Sequence, residues 1–176
     1  MKSKENIVFL GMMGSGKTSI GFLVSKKLNL DFFDTDQLIE KEMGMKISKI
    51  FEIKGEKYFR EQEANALVKI TKQDNFVVAL GGGAPCFASN FSLIKSTGIS
   101  VYLQMEKVDL YNRLAANRGN RPLLYSLNEN ELEAYISSSL DVREEYYNQA
   151  DIVISAKDFN AERYGMLIEE ISTYDK

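Results

Sequence analysis

Ile7-Val8-Phe9-Leu10 runs straight into Gly11-Met12-Met13-Gly14-Ser15-Gly16-Lys17-Thr18, after which Ile20, Leu23, Val24 and Leu28 recur at helical spacing until Asn29 ends the pattern. A short, continuous apolar run of this kind predicts a strand buried on both faces, and the periodicity behind it predicts an amphipathic helix. The turn between them matches GxxxxGK followed by Ser or Thr, in the strand-to-helix context the motif requires. Glycines there let backbone N–H groups turn inward around phosphate oxygens, and the helix N-terminus adds the positive end of its dipole. Lys17 would reach the β- and γ-phosphates, and Thr18 would set its hydroxyl on Mg²⁺. The motif alone names neither base nor reaction.

Outward from this turn, short apolar runs keep alternating with helical patterns, which predicts an α/β architecture around a mostly parallel sheet. A second strand is expected at Asp31 to Asp34, followed by polar helical sequence through Glu42. Ile47, Ile50 and Phe51, then Phe59, Ala66, Leu67 and Ile70, mark two helical stretches separated near Gly55. The third strand, Phe76 to Leu80, runs into Gly81-Gly82-Gly83. Ile99 to Leu103 forms a fourth, and Val108, Tyr111, Leu114 and Ala115 line a helix that dissolves into the polar stretch Asn117 to Asn120. A helix over about Asn130 to Asn148, a fifth strand at Ile152 to Ile154 and a helix from Ala161 to Ser172 close the order. No repeat or linker-like tract interrupts it, so one domain over residues 1–176 is expected.

Composition removes whole classes of chemistry. A chain of 176 residues with one Cys and no His has no internal disulfide, no CxxC metal site and no histidine base. Ser-His-Asp hydrolysis, Cys-His proteolysis and His-based zinc chemistry are excluded by counting, leaving a carboxylate, a lysine or a tyrosine as base. The net charge of −3 supplies no global field for nucleic acid or an anionic membrane. No apolar run approaches the ~18 residues of a membrane span, and the start of the chain, MKSKENIVFLG, shows no secretory apolar core. A soluble, cytoplasmic, monomeric protein is expected, with neither nucleic-acid nor membrane partners.

A second site is legible downstream. Asp34 and Asp36 flank Thr35 at the end of the second strand, and in extended chain residues i and i+2 point to one side, here toward the crevice above the strands' carboxyl ends. Either residue would alternatively cap the following helix. The third strand ends in glycines rather than in the metal-holding acid of a typical P-loop NTPase, which favours small-molecule kinases over motors or switches. Only six arginines occur against 16 lysines. Three of them, Arg60, Arg121 and Arg143, stand where a fixed carboxylate ligand would want a planar guanidinium. Arg60 reads equally well as a surface i,i+3 partner of Glu63. Gly81, Gly82 and Gly83 give a backbone that a ligand can approach, or only a flexible turn. Cys86 reads as a small buried apolar residue.

Taken in order, the phosphate loop, Asp34-Thr35-Asp36, Phe59-Arg60-x-x-Glu63, the three glycines behind Val77-Val78-Ala79-Leu80, Arg121-Pro122-Leu123-Leu124, and Arg143 with Tyr147 resemble the shikimate kinases. The resemblance implies a three-layer α/β/α P-loop kinase with a five-stranded parallel sheet in the order 2-3-1-4-5, substrate-binding helices over about 35–62 and a lid over about 115–127. It implies transfer of the γ-phosphoryl group of ATP to the 3-hydroxyl of shikimate, with Mg²⁺, on the way to chorismate and the aromatic amino acids. Gly14, Ser15, Gly16, Lys17, Thr18, Ser19, Arg118 and Arg121 would bind the nucleotide, and Thr18 and Asp34 the metal. Asp36, Arg60, Gly82, Gly83 and Arg143 would hold shikimate, with Phe51 and Phe59 as an apolar wall. Lys17, Asp36 and Arg121 would carry the chemistry. A gluconate-type kinase and a catalytically silent nucleotide-binding module are the alternatives.

Overall fold

All four residues of β1 (Ile7–Leu10) are buried because the strand lies at the centre of a five-stranded parallel sheet ordered β2-β3-β1-β4-β5. The computed structural model describes residues 6–87, 89–117 and 122–174. Its other strands are β2 (Asp31–Asp34), β3 (Phe76–Ala79), β4 (Ile99–Gln104) and β5 (Ile152–Ser155). Ile7 is in register with Val77 on one side and Ile99 on the other. The period of two then sorts the side chains. Ile7, Phe9, Val77, Val101 and Leu103 enter one core, while Val8, Leu10, Phe76, Val78 and Tyr102 enter the core on the opposite face.

Helices cover both faces. The first core is closed by α1 (Lys17–Leu28), α5 (Lys107–Ala116), α6 (Glu129–Tyr147) and α7 (Ala161–Thr173) through Ile20, Leu114, Ile136 and Leu167. The second is closed by α3 (Ile47–Ile70) and α4 (Asn90–Thr97) through Leu67, Ile70 and Ile94. Together with α2 (Thr35–Met43) these make seven helices among the described residues and the expected three-layer α/β/α fold. Asn29 ends α1 in the left-handed conformation, φ 55° and ψ 48°. Gly55, at φ 81° and ψ 169°, breaks α3 into two stretches where the hydrophobic pattern had separated them. Asn128 and Glu131 form a reciprocal capping box that starts α6.

The structure departs from the sequence pattern in three places. The sequence pattern omitted α4, whose NFSLIKST buries only Asn90 and Ile94 and so lacks a continuous apolar stripe. On α5, Leu110 faces the core beside Leu114, whereas Val108 is 61% exposed. β3 stops at Ala79, although the Leu80 N–H still donates to the Phe9 carbonyl at 3.2 Å. Because every strand points the same way, the phosphate loop, the end of β2 and the three glycines all emerge at the carboxyl edge of the sheet, where such sheets bind ligands.

Candidate active site

Gly11, Gly14 and Gly16 hold φ values of 137°, 85° and 98°, which only glycine adopts without strain. They fold the loop around its own lysine: Lys17 is 8% exposed, and its ammonium donates to the carbonyls of Gly11 and Met12 at 2.9 Å each. Lys17 is therefore fixed by the loop, not merely solvated. The Ser15 hydroxyl is fully buried and has no hydrogen-bond partner among the described residues. Thr18 and Ser19 are exposed at the start of α1.

The two aspartates divide their work differently from the extended-chain reading. Asp34 ends β2 and caps α2, its Oδ1 accepting from the N–H groups of Asp36 at 3.0 Å and Gln37 at 3.2 Å. Its Oδ2 accepts from the Thr18 hydroxyl at 2.7 Å. Asp36 is already helical, so its carboxylate reaches the crevice from the first turn of α2 and not by strand alternation. Buried Thr35 between them accepts from the Gly81 N–H at 3.0 Å, tying the end of β2 to the glycine loop.

None of Gly81, Gly82 or Gly83 has a positive φ. These glycines serve space, not backbone freedom. A Cβ on Gly81 would lie 1.9 Å from Glu63 Oε1, and one on Gly83 would lie 2.6 Å from Arg60 Cζ. A Cβ on Gly82 would stand 3.3 Å from both Arg143 Nη1 and the Met13 nitrogen, so the glycine loop presses on the phosphate loop itself. Fully buried Tyr147 donates its hydroxyl to the Gly82 carbonyl and stacks on Tyr102 at 4.9 Å between centroids. Gly83→Ala is thus expected to push the Arg60 guanidinium aside: steady-state kinetics should show a raised KM for the acceptor, and the melting temperature should fall because the buried Glu63 loses part of its contact with Arg60.

Arg60 is no surface residue. Its side chain is 12% exposed and that of Glu63 is wholly buried; Nη1 bonds Glu63 Oε2 while Nη2 bonds Glu56 Oε1 at 3.0 Å. Burial alone would weaken the charge of Arg60, but Glu63 and Glu56 hold its pKa above the usual value. Burial pushes the Glu63 carboxyl up to about 7 against the downward pull of Arg60; Asp36 pushes it up too, and Arg143 pulls it down. Arg143, on α6, donates Nη1 to Met12 Sδ at 3.2 Å and has no ion pair among the described residues. That leaves a guanidinium charge available to an anion.

These groups line one pocket of about 1020 Å³, with Asp36, Arg60, Arg143 and the three glycines in its wall. Phe51 and Phe59, 4.8 Å apart between ring centroids, supply its apolar side. Glu63 entered the sequence reading as a surface partner and motif member, Tyr147 only as a motif member and Gly81 only as approachable backbone; burial, which spacing does not reveal, sets all three against the pocket wall. Leu123 and Tyr125 also reach the pocket. Arg118 and Arg121 lie outside the described residues. Cys86 is half-buried, and burial raises its thiol pKa, in keeping with an inert residue.

The sheet order and the phosphate loop at its carboxyl edge define a P-loop kinase of small molecules. The shikimate kinase family model matches residues 13–172. A shikimate kinase from Flavobacterium psychrophilum is 41% identical over 173 residues, covering 97% of this chain and 94% of that protein. Among solved structures, shikimate kinase from Bacteroides thetaiotaomicron superposes with a TM-score of 0.87 at 31% identity over 97% of both chains. Shikimate kinase from Acinetobacter baumannii, in complex with shikimate, gives 0.84 at 32% identity over 97% of this chain and 92% of that one. The chain belongs to the shikimate kinase family, and it is an ATP-dependent phosphotransferase. A gluconokinase from Sinorhizobium meliloti, 14% identical with a TM-score of 0.62, shares the fold alone.

Proposed function

We propose that this enzyme phosphorylates the 3-hydroxyl of shikimate through the residues gathered in the pocket beside the phosphate loop. The observation that carries the reading is the convergence of Asp36, Arg60, Arg143 and the three glycines within reach of Met13 and Gly11 of that loop. Arg143, with no carboxylate partner among the described residues, and Arg60, at the pocket wall, form the clamp for the acceptor's carboxylate. Gly82 and Gly83 offer backbone contacts to its ring hydroxyls, and Phe51 with Phe59 packs its apolar face.

In the proposed transfer the acceptor hydroxyl attacks the γ-phosphorus, the bond to the bridging β,γ-oxygen breaks, and the hydroxyl proton passes to Asp36. Lys17, released from the loop carbonyls or shared with them, neutralises phosphate charge. Gly14, Ser15, Gly16 and Ser19 complete the nucleotide cradle. Arg121, with Arg118, belongs to a lid over about 115–127 and would add counter-charge at the γ-phosphate. Mg²⁺ takes oxygen ligands and commonly uses only one or two from the protein. The Thr18 hydroxyl and the Asp34 carboxylate, bonded to each other at the start of α1, fit that donor set. When bound there, the ion would screen the negative phosphate oxygens. The domain acts as a monomer in the cytoplasm in this reading; among the described residues no helix is long and apolar enough to cross a membrane.

An ADP-release assay that offers ATP with shikimate, gluconate or no acceptor tests the assignment: turnover should require shikimate. Equal turnover with gluconate would move the acceptor, and none with any acceptor would leave a silent module. Asp36→Asn should lower kcat by roughly 10²-fold or more, the scale of general-base help, while ATP affinity, measured by calorimetry, stays near wild type because Asp34 still caps α2.

A further inference from the structure

The mechanism leaves one buried titratable group unused. Glu63 Oε2 is bonded to Arg60, but Oε1 is buried with no hydrogen-bond partner among the described residues. That oxygen is aimed at the glycine loop, where it and Asp36 Oδ1 stand 1.9 and 3.2 Å from the point a Gly81 Cβ would occupy. Two carboxylates therefore face each other across one Cα, in the wall of a pocket built for a third. The other charged groups around Glu63 are Arg60 on its own helix, with Glu56 on that guanidinium's far side, Asp36 on α2 and Arg143 on α6. The Cys86 thiol lies in the field of the same two guanidinium groups.

We infer that Glu63 is a positioning residue that holds Arg60 as an anion while the pocket is empty and takes up one proton when the acceptor's carboxylate binds. The inference rests on the acceptor assignment above. A bound carboxylate adds a negative charge beside Glu63 and competes for the Arg60 donors that offset its burial, and both changes favour the neutral acid. The proton comes from solvent and forms an O–H bond at Oε1, the oxygen that lacks a partner; Oε2 keeps its bond to Arg60, so the guanidinium stays in place while its charge is handed to the acceptor. Because Glu63 in the empty pocket is poised near pH 7, the linkage falls in the physiological range. Below that pH the acid is already protonated and binding draws no proton; above it, binding must draw one.

Titration calorimetry of shikimate into the wild-type enzyme, at several pH values and in two phosphate-free buffers of unlike ionisation enthalpy, reads the proton count directly. The expected uptake is near zero at pH 5.5, about half a proton at pH 7 and approaching one at pH 8, with affinity weakening by up to about tenfold per pH unit above 7. Glu63→Gln keeps a hydrogen-bonding partner for Arg60 but has no titratable proton, so its binding should be free of uptake at every pH. Binding without uptake in the wild type at pH 8 would overturn the inference, as would unchanged uptake in the Gln variant. Should that variant fail to fold, carbon-13 NMR of the wild-type carboxyls decides: the Glu63 signal should titrate near neutrality in the free enzyme and shift to higher pH when shikimate saturates it. A Glu63 signal that titrates below pH 5.5 in the free enzyme overturns the inference on its own. Failure of shikimate to bind at any pH is a different result, and it would strike the acceptor assignment instead.

Discussion

Lys17→Met should reduce kcat/KM for ATP by on the order of 10³-fold, a scale typical of removing a charge clamp from a phosphoryl-transfer site. The structure adds a second consequence. The ammonium bridges the carbonyls of Gly11 and Met12, so the variant leaves two loop acceptors without their donor. A cost of about 1 kcal/mol in stability is expected, since each acceptor can recruit water. Single-turnover rates should show Lys17→Met as more damaging than Asp36→Asn, because a loose transition state depends more on neutralised phosphate charge than on removal of the hydroxyl proton. The reverse order would make Asp36 the larger contributor.

Arg60→Ala and Arg143→Ala should separate binding from folding. Each removes one arm of the proposed carboxylate clamp, and loss of a charge-assisted hydrogen-bonding partner worth about 1.5–3 kcal/mol should raise the shikimate KM by roughly 10- to 150-fold. Only Arg60→Ala should also destabilise the fold, by up to about 3–5 kcal/mol, because it strands Glu63 as an uncompensated buried group. The loss should depend on pH with a definite sign. Glu63 is raised in the folded state from 4.5 to about 7, so the folded protein keeps a proton that the unfolded chain has released, and stability falls as pH rises across that window. Removing Arg60 lifts the folded-state pKa further. Wild-type stability should therefore level off above pH 7 while that of the variant keeps falling, so the gap is wider at pH 8.5 than at pH 6.5. Denaturant melts at the two pH values provide the measurement, with Arg143→Ala as the comparison whose gap widens in the same direction but less, since Arg143 is the weaker of the two guanidinium groups acting on Glu63.

What the sequence made legible was local. The β1-loop-α1 unit is encoded within some twenty consecutive residues, by an apolar run, three glycines that need positive φ and an asparagine stop, so it reads without tertiary information. The strand order and the gathering of Asp36, Arg60 and Arg143 came from ordered motifs resembling a family, not from periodicity. Where tertiary burial decides, reading by spacing failed. Arg60 and Glu63 have the spacing of an ordinary surface pair on a helix, and nothing local says that the glycine loop will close over them. Asp36 was assigned to extended chain because the cap at Asp34 turns the backbone two residues earlier than the pattern suggests. The α4 helix escaped notice because Ser, Thr and Asn dominate it and Ile94 is its main apolar anchor. Val108 and Leu110 are chemically alike, and only the packing of α5 against α6 determines which of them turns inward.

The break in α3 has a consequence for chirality. Gly55 sits at φ 81° and ψ 169°, and a Cβ placed there would meet nothing within 4 Å. An L-residue is thus opposed by its backbone torsions alone, whereas the mirror-image torsions are ordinary extended geometry, so a D-residue would adopt them without backbone strain. D-alanine, installed at this position by chemical ligation, should stiffen the unfolded chain and stabilise the enzyme by a few tenths to about 1 kcal/mol, while L-alanine at the same atom count should weaken it. The joint between the pocket-lining and core-bound parts of this helix is thereby specified by handedness alone.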